Sequence, residues 1–127
     1  DTREACAYDD EITFSKNALD QVFMNVDNKG ASFSIGASST FYGFGGGDNC
    51  FPINTGGNKS LIFQDATSTS TPAQSTRIQF TVPGNGIINF GTGGTVYEIL
   101  AITATTMHIR NIGNDGNSWY QKLKVKP

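Results

Sequence analysis

The chain has 127 residues, of which 37% are apolar and 16% are charged, and its formal net charge is −2. This length and composition predict one globular β domain spanning residues 1–127, with a hydrophobic core. The charge argues against nucleic-acid binding, which ordinarily requires a basic patch. No stretch approaches the roughly 20 consecutive apolar residues that span a bilayer, so we expect no transmembrane segment. Because no signal peptide opens the sequence, we expect a mature protein or an excised piece.

Alternating apolar and polar residues predict a series of short strands. In chain order the stretches with this pattern are DEITF, DQVFMNV, ASFSI, SLIFQD, RIQFTV, IINF, TVYEILAIT, TMHIRNI and SWYQKLKVK. Short turns join the last three stretches, which therefore predict a three-stranded antiparallel meander. No helix of ordinary length is expected. The predicted fold class is all-β, an antiparallel β-barrel or a two-sheet sandwich of about eight strands.

The same alternation assigns side chains to the two faces of each strand, since neighbouring residues on a strand point in opposite directions. The residues expected to face the core are Ile12, Phe14, Ile78, Phe80, Val82, Met107, Ile109, Trp119, Leu123 and Val125. Those expected to face outward are His108, Arg110 and Tyr120, together with the lysines that alternate along the last strand. The TVYEILAIT strand is apolar on both sides, so we expect other parts of the protein to cover both of its faces.

Two cysteines, Cys6 and Cys50, are too far apart for a Cys-x-x-Cys motif. A disulfide between them would close a long loop, stabilise the fold by roughly 3–4 kcal/mol and indicate an oxidising compartment outside the cytoplasm. The alternative is two unrelated buried thiols. We favour the disulfide.

The sequence carries few groups that could form a catalytic or metal centre. A single histidine, His108, rules out a multi-histidine metal site, and no Gly-x-Ser-x-Gly nucleophile elbow is present. Glu98 is the only acidic residue inside a regular strand, where a cation such as Arg110 is a possible partner. We therefore predict no enzymatic activity, no cofactor and no metal ion.

The segment from residue 36 to residue 59 breaks the strand pattern and is rich in glycine and aromatic residues. A long loop in a compact domain is ordinarily functional or mobile, and flat aromatic rings beside polar groups suit the apolar faces and hydroxyls of sugars. The predicted ligand-binding residues, from this loop and the outer strand faces, are Tyr42, Phe44, Asp48, Asn49, Tyr97, Arg110 and Tyr120. The alternative for the loop phenylalanines is that they plug one end of the sheet.

The closing strands resemble the lipocalin-like β domains of exported glycan-utilisation proteins of Bacteroidota. The matching residues fall in three blocks, Tyr97–Glu98–Ile99–Leu100, then Met107, Ile109 and Arg110, then Gly116, Trp119, Tyr120 and Lys122. The N-terminal stretch CAYDDEITFSKNALDQVFMNVDNKG is similar to the early strand and hairpin of that family. The likeness covers about half of the chain, and the region from residue 36 to residue 76, where ligand specificity would be expected, departs from it.

The resemblance implies an antiparallel β-barrel or sandwich, exported to the cell surface or the extracellular space and attached to glycan-binding proteins or glycanases. Our leading hypothesis is a non-catalytic carbohydrate-binding module that holds a polysaccharide, possibly a β-glucan, beside the flanking domains of its parent protein.

Three alternatives are open at this point. A structural or interaction spacer would have no affinity for glycans. A barrel that binds a small apolar ligand would need an open, apolar interior. A hydrolase that uses Glu98 would need a second carboxylate, and the sequence does not identify one.

Overall fold

The computed structural model describes Cys6 and residues 8–126. Its regular elements are eleven short strands and one 3-10 helical segment. The strands are β1 (Glu11–Lys16), β2 (Val22–Asp27), β3 (Ser32–Ser34), β4 (Asn49–Phe51), β5 (Lys59–Ser60), β6 (Ile62–Asp65), β7 (Ile78–Thr81), β8 (Phe90–Gly91), β9 (Val96–Ile102), β10 (Thr106–Ile112) and β11 (Ser118–Lys124). The 3-10 segment spans Gly36–Tyr42, within the glycine- and aromatic-rich region. The all-β prediction is confirmed.

The largest sheet has five strands in the order β11-β10-β9-β7-β6, all antiparallel. Its β9-β10-β11 portion is the predicted meander, connected through residues 103–105 and 113–117. Connections this short allow only antiparallel neighbours. The pairing of β9 with β10 shifts register between His108 and Ile109, which marks a β-bulge.

A second sheet has three strands in the order β1-β2-β5, and the chain runs from its β5 strand directly into β6 of the first sheet. After β5 the chain passes through buried Leu61, whose amide donates to the carbonyl of Val22, and then enters β6 of the five-stranded sheet. At the opposite side β1 and β11 are the outer strands of their sheets and do not pair with each other. Among the described residues the sheets therefore form a sandwich joined along one side, and they do not close into the barrel that was the first of the two predicted architectures.

The third sheet, in the order β4-β3-β8, contains the one parallel pair of the described strands, β3 with β8. A disulfide between Cys6 and Cys50 attaches its β4 strand to the N-terminal segment, with 6.2 Å between the two Cα atoms. This confirms the predicted disulfide. Together with the aromatic packing of this region, the bond gives the irregular loop a fixed position.

The main core lies between the five-stranded sheet and the β1-β2-β5 sheet, which are the two larger sheets of the sandwich. Its buried members are Met24, Val26, Leu61, Phe80, Val82, Ile88, Tyr97, Ile99 and Ile109. Complete burial of one such apolar side chain contributes roughly 1.5–3 kcal/mol. Three residues predicted to face inward are instead substantially exposed, namely Phe14 at 38%, Ile78 at 44% and Val125 at 63%. Phe14 is on the outer strand β1, Ile78 is the first residue of β7, and Val125 follows the last residue of β11.

The only tryptophan of the chain, Trp119, packs against a second apolar cluster formed by Cys6, Phe33, Ile35 and Phe90. Its ring meets the Phe90 ring edge-on, with 5.8 Å between the centroids. The predicted inward direction of this side chain is confirmed, although it is only half-buried. No helix in the described part of the chain is long and apolar enough to cross a membrane.

Candidate functional site

A groove of about 740 Å³ runs between β1 and the ends of β10 and β11, on the side where the two larger sheets separate. Its volume falls within the range typical of ligand sites, roughly 300–1,000 Å³. The groove exists because β1 and β11 belong to different sheets and do not pair with each other. The apolar side chains between the two strands are therefore only partly covered. The groove is larger than a second pocket of about 350 Å³ that lies beside Lys59.

Apolar side chains form the floor of this groove. Ile12, Met107 and Leu123 line it, are partly buried and pack against the main core. Met107 and Leu123 are paired across β10 and β11, so both point to the same face of the sheet. Phe14, two residues beyond Ile12 on β1 and 38% exposed, adds an aromatic ring to the lining.

The rim of the groove carries opposite charges on its two sides. Acidic residues lie on the β1 side and lysines on the β11 side, namely Asp9, Asp10, Glu11, Lys122, Lys124 and Lys126. One ion pair spans the two sides, because Lys126 Nζ lies 2.9 and 3.0 Å from the two carboxylate oxygens of Glu11. Hydrogen bonds from Lys29 and Lys126 hold the pKa of Glu11 below its usual value. Neutral polar groups, including Asn89 and the threonines of residues 103–106, also border the groove.

Asp10 differs from its acidic neighbours in environment. Both of its carboxyl oxygens are shielded from solvent, and neither has a hydrogen-bond partner within ordinary distance and angle. Burial raises the pKa of Asp10 to about 8, and the adjacent Asp9 acts in the same direction. Asp10 is therefore mostly protonated at pH 7, and its carboxyl group belongs to the buried wall of the groove.

The predicted site residues of the loop have structural partners. Gly93 N donates to the Tyr42 hydroxyl oxygen at 2.9 Å, and the Tyr42 ring lies against Gly91. Phe44 stacks on Phe51, with 5.1 Å between ring centroids. Both Tyr42 and Phe44 are half-buried.

The two polar residues predicted in this loop shape its backbone. The Asp48 carboxylate accepts a hydrogen bond from Gly36 N, which joins the start of the 3-10 segment to the chain before β4. Asn49 Oδ1 accepts from the amide of Cys50 at 2.8 Å. Each side chain is exposed and remains accessible to a ligand, but its carboxylate or carbonyl oxygen already has a backbone partner.

Tyr97 is not on the outer surface, contrary to its predicted role as part of an exposed aromatic floor. It is 1% exposed, stacks on Phe80 at 5.7 Å between centroids, and donates its hydroxyl hydrogen to the carbonyl of Gly86 at 2.7 Å. Tyr97 was assigned to the wrong face of β9 because both faces of this strand are apolar enough to pack against the core. Tyr97 shares the inner face with Ile99, so it cannot form part of a surface site.

Arg110 and Tyr120 do lie on the outer face of the five-stranded sheet, as predicted. They are partners across β10 and β11, and Tyr120 is 62% exposed. Arg110 Nη2 lies 2.7 Å from Glu98 Oε1, an ion pair that the sequence suggested only as a possibility. His108 is exposed and does not line the groove.

Sequence reasoning missed the surroundings of Glu98. The hydroxyls of Ser68, Ser70 and Ser75 all donate to the Glu98 carboxylate. The residue Glu98 is 5% exposed. Burial acts to raise the pKa of Glu98, but the three serines and Arg110 outweigh it and lower the pKa to about 2. The polar segment 66–76 thus covers the outer face of β9. The composition of this segment resembles that of a linker, so it gave no indication of a contact with β9. The only signal in the sequence was an acidic residue, Glu98, inside a predicted strand.

The seven predicted ligand residues therefore occupy three places. Four belong to the loop region around the third sheet, two lie on the outer face of the five-stranded sheet, and Tyr97 is in the core. None of the seven lines the groove between β1 and β11. Within the described residues, no group of three or more His, Cys, Asp or Glu side chains could hold a metal ion.

Comparisons with protein-family models, curated proteins and solved structures found no match for this chain. The likeness to lipocalin-like glycan-utilisation domains therefore stays a prediction from the closing strands. The groove has to be interpreted from its own chemistry.

Proposed function

We propose that this protein is a non-catalytic carbohydrate-binding module that holds a segment of a polysaccharide in the groove between β1 and β11. The observation that supports this most directly is the lining of the groove, with an apolar floor and a rim of hydrogen-bonding groups. Sugars present both kinds of surface, since their C–H faces pack on apolar side chains and their hydroxyls require polar partners. The proposal moves the binding site away from the seven residues that the sequence suggested.

The openness of the groove favours a polar polymer over a fully apolar molecule. Charged side chains stand along both sides, and a ligand lying there keeps one surface in contact with water. A sugar chain tolerates that exposure, whereas a lipid chain would leave apolar surface hydrated at a cost of roughly 25 cal/mol per Å². Asn89 and the threonines of residues 103–106 supply neutral donors and acceptors.

The groups that the sequence offered for chemistry, namely Cys6, Cys50, His108 and Glu98, do not line the groove. Cys6 and Cys50 are joined in a disulfide, and His108 is an exposed strand residue that does not line the groove. Glu98 is held as a deprotonated carboxylate under the segment 66–76 and does not line the groove. The disulfide is compatible with an exported location beside other domains of a parent protein.

A matched pair of exposed tyrosines tests both the function and the location of the site. Tyr8 lies at the groove and is 57% exposed, while Tyr120 is on the outer sheet face and is 62% exposed. We expect Tyr8→Ala to weaken glycan binding at least tenfold and Tyr120→Ala to leave it unchanged, with both variants retaining the wild-type circular dichroism spectrum. Affinity electrophoresis against glucans, mannans, xylans and marine polysaccharides identifies the ligand, and calorimetry measures the change.

Two outcomes would contradict the proposal. Absence of retention by every polysaccharide would remove the carbohydrate function. Loss of binding in Tyr120→Ala but not in Tyr8→Ala would place the site on the outer sheet face instead of in the groove.

A second candidate is a small apolar ligand in the same groove. It is favoured by the exposure of Phe14, Ile102 and Val125 around the apolar floor, at 38%, 57% and 63%. Native mass spectrometry of the purified protein would show such a ligand as a bound mass that organic extraction removes. A co-purified lipid together with no glycan binding would favour this candidate over the first.

A further inference from the structure

Lys59 is a buried cation at the end of the sandwich. It lies on β5, pairs with Met24 of β2 and is only 8% exposed. Its aliphatic stem covers the end of the core and carries the ammonium to the turn that follows β7. There Lys59 Nζ donates to Asn85 Oδ1 at 3.0 Å.

Among the residues that the structure describes, no carboxylate balances the charge of Lys59. In the described part of the chain, no Asp or Glu oxygen lies within ion-pairing distance of Lys59 Nζ, whereas Lys16, Lys29 and Lys126 all form ion pairs. Burial lowers the pKa of Lys59, and no charged neighbour acts on it. An ammonium has three N–H donors, and Asn85 accepts only one of them. Buried charges in proteins are ordinarily paired, so an ammonium without a counter-charge is unusual.

The ammonium borders a shallow pocket of about 350 Å³ that contains no acidic residue. The lining consists of Asn54, Gly56, Asn58, Ser60, Pro83, Gly84 and Asn85 around Lys59. Apart from Lys59 and Pro83, its side chains are amides and a hydroxyl, which are neutral groups that can donate hydrogen bonds to an oxyanion.

Two glycines allow the backbone to approach the lysine closely. A Cβ atom at Gly56 would lie 3.0 Å from Lys59 Cε, and one at Gly84 would lie 3.9 Å from Lys59 Nζ. Both glycines have positive φ, at +76° and +77°, which other residues rarely adopt. The pocket therefore depends on two glycine turns that meet around one cation.

We propose that this pocket binds a single oxyanion group, a carboxylate or a sulfate, on the ammonium of Lys59. The group would occupy the two donor positions that Asn85 leaves open and would supply the missing negative charge. It can arrive as a free ion or as a substituent of a sugar, such as a uronate carboxylate or a sulfate ester. This inference rests on the pocket alone and does not depend on glycan binding in the groove.

An NMR titration at constant ionic strength tests the anion site directly. Sodium sulfate and sodium acetate are each exchanged for sodium chloride while the amide signals of Gly56, Gly84 and Asn85 are followed. We expect saturable shifts in the wild type that are lost, or need at least tenfold more anion, in Lys59→Met. That variant keeps the aliphatic stem and removes only the charge. Lys16→Met, which removes an exposed lysine outside both pockets, should behave as the wild type does.

Asn85→Asp provides a second variant in case Lys59→Met does not fold. It places a carboxylate of the protein itself beside Lys59 Nζ, so the response to sulfate should disappear even though the lysine is retained. A wild type without saturable shifts, or shifts that persist in both folded variants, would overturn the proposal.

The source of the anion is resolved by comparing a sulfated disaccharide, its desulfated counterpart and inorganic sulfate. At least tenfold tighter binding of the sulfated sugar than of inorganic sulfate would assign the site to a glycan substituent. Equal affinity of the sulfated sugar and inorganic sulfate would assign it to a free ion. Binding of the desulfated sugar as tightly as the sulfated one, with no response to sulfate, would contradict the anion site. Tyr8→Ala should leave all these responses intact, which separates this test from that of the groove.

Discussion

At the scale of single residues, Glu98 shows how one buried charge organises a polar loop. Three serine hydroxyls and the guanidinium of Arg110 converge on its carboxylate. Arg77 strengthens the same arrangement, because its guanidinium donates to the carbonyl oxygens of Ala66 and Ser68. A carboxylate with this many donors compensates for its loss of hydration, and it orders a segment that has few apolar residues.

Replacement of Glu98 by glutamine should destabilise the protein by on the order of 3 kcal/mol at pH 7, because it removes the charge that three serine hydroxyls and the half-buried Arg110 surround. The folded-state pKa of Glu98 is below its ordinary value, at about 2. Its contribution is therefore present above the unfolded-state pKa of about 4.5 and is lost as the pH falls from there through about 2. Urea denaturation of both proteins at pH 7 and at pH 2 measures this, and the difference between them should shrink at the lower pH. An equal difference at both pH values would contradict the assignment.

At the scale of elements, the 3-10 segment is held to β8 through a ring lying on a glycine. Tyr42 ends that segment, and Gly91 of β8 lies directly under its ring. A Cβ atom added at Gly91 would come within 2.4 Å of Tyr42 Cε2, a separation that atoms cannot adopt without movement. The hydrogen bond from Gly93 N to the Tyr42 hydroxyl oxygen fixes the ring from its other end. Tyr42 is therefore a structural residue of this loop.

Gly91→Ala should lower the free energy of unfolding by about 1–3 kcal/mol, because the added methyl group displaces the Tyr42 ring. Gly45→Ala is the matched control, since a Cβ atom there meets nothing within 4 Å and its φ is not positive. The control should change stability by less than about 0.5 kcal/mol. Thermal and urea unfolding of the two variants provide the comparison. Equal stability of both variants would show that the ring does not rest on Gly91.

At the scale of the whole molecule, the sandwich is joined on one side by continuous chain and open on the other. The β5–β6 corner provides the joined side, and the groove between β1 and β11 forms the open one. The third sheet is connected to the N-terminal segment by the disulfide and packs against Trp119 of β11. This arrangement stabilises the molecule while leaving the groove between β1 and β11 accessible to a ligand.

Reduction of the Cys6–Cys50 disulfide should lower the free energy of unfolding by about 4 kcal/mol, because the bond closes a loop with a sequence separation of 44 residues in the unfolded chain. Urea unfolding with and without a phosphine reductant measures the loss. The double variant Cys6→Ser/Cys50→Ser should match the reduced protein and should not respond to the reductant. Unchanged stability on reduction would show that the unfolded chain gains little freedom when the bond is broken.

Most strands and several face assignments could be predicted from the sequence because they depend on local alternation. Phe80, Val82 and Ile109 are all buried as that alternation predicts. Trp119 also packs inward, and the meander follows from turns too short for any other connection. The disulfide was predictable as well, since the chain has only two cysteines.

The candidate site was not predictable, because it depends on which parts of the chain lie next to each other in space. Tyr97 was misplaced since both faces of β9 are apolar, and only the segment 66–76 above Glu98 determines which face is the outer one. The groove arises where β1 and β11 fail to meet, and two strands more than 90 residues apart carry no local signal of that gap. The sequence alone thus determined the strands, the meander and the disulfide, because periodicity and turn length act over a few residues. The tertiary structure decided the groove between β1 and β11, the burial of Glu98 under the segment 66–76 and the surroundings of Lys59, because each depends on contacts between distant segments.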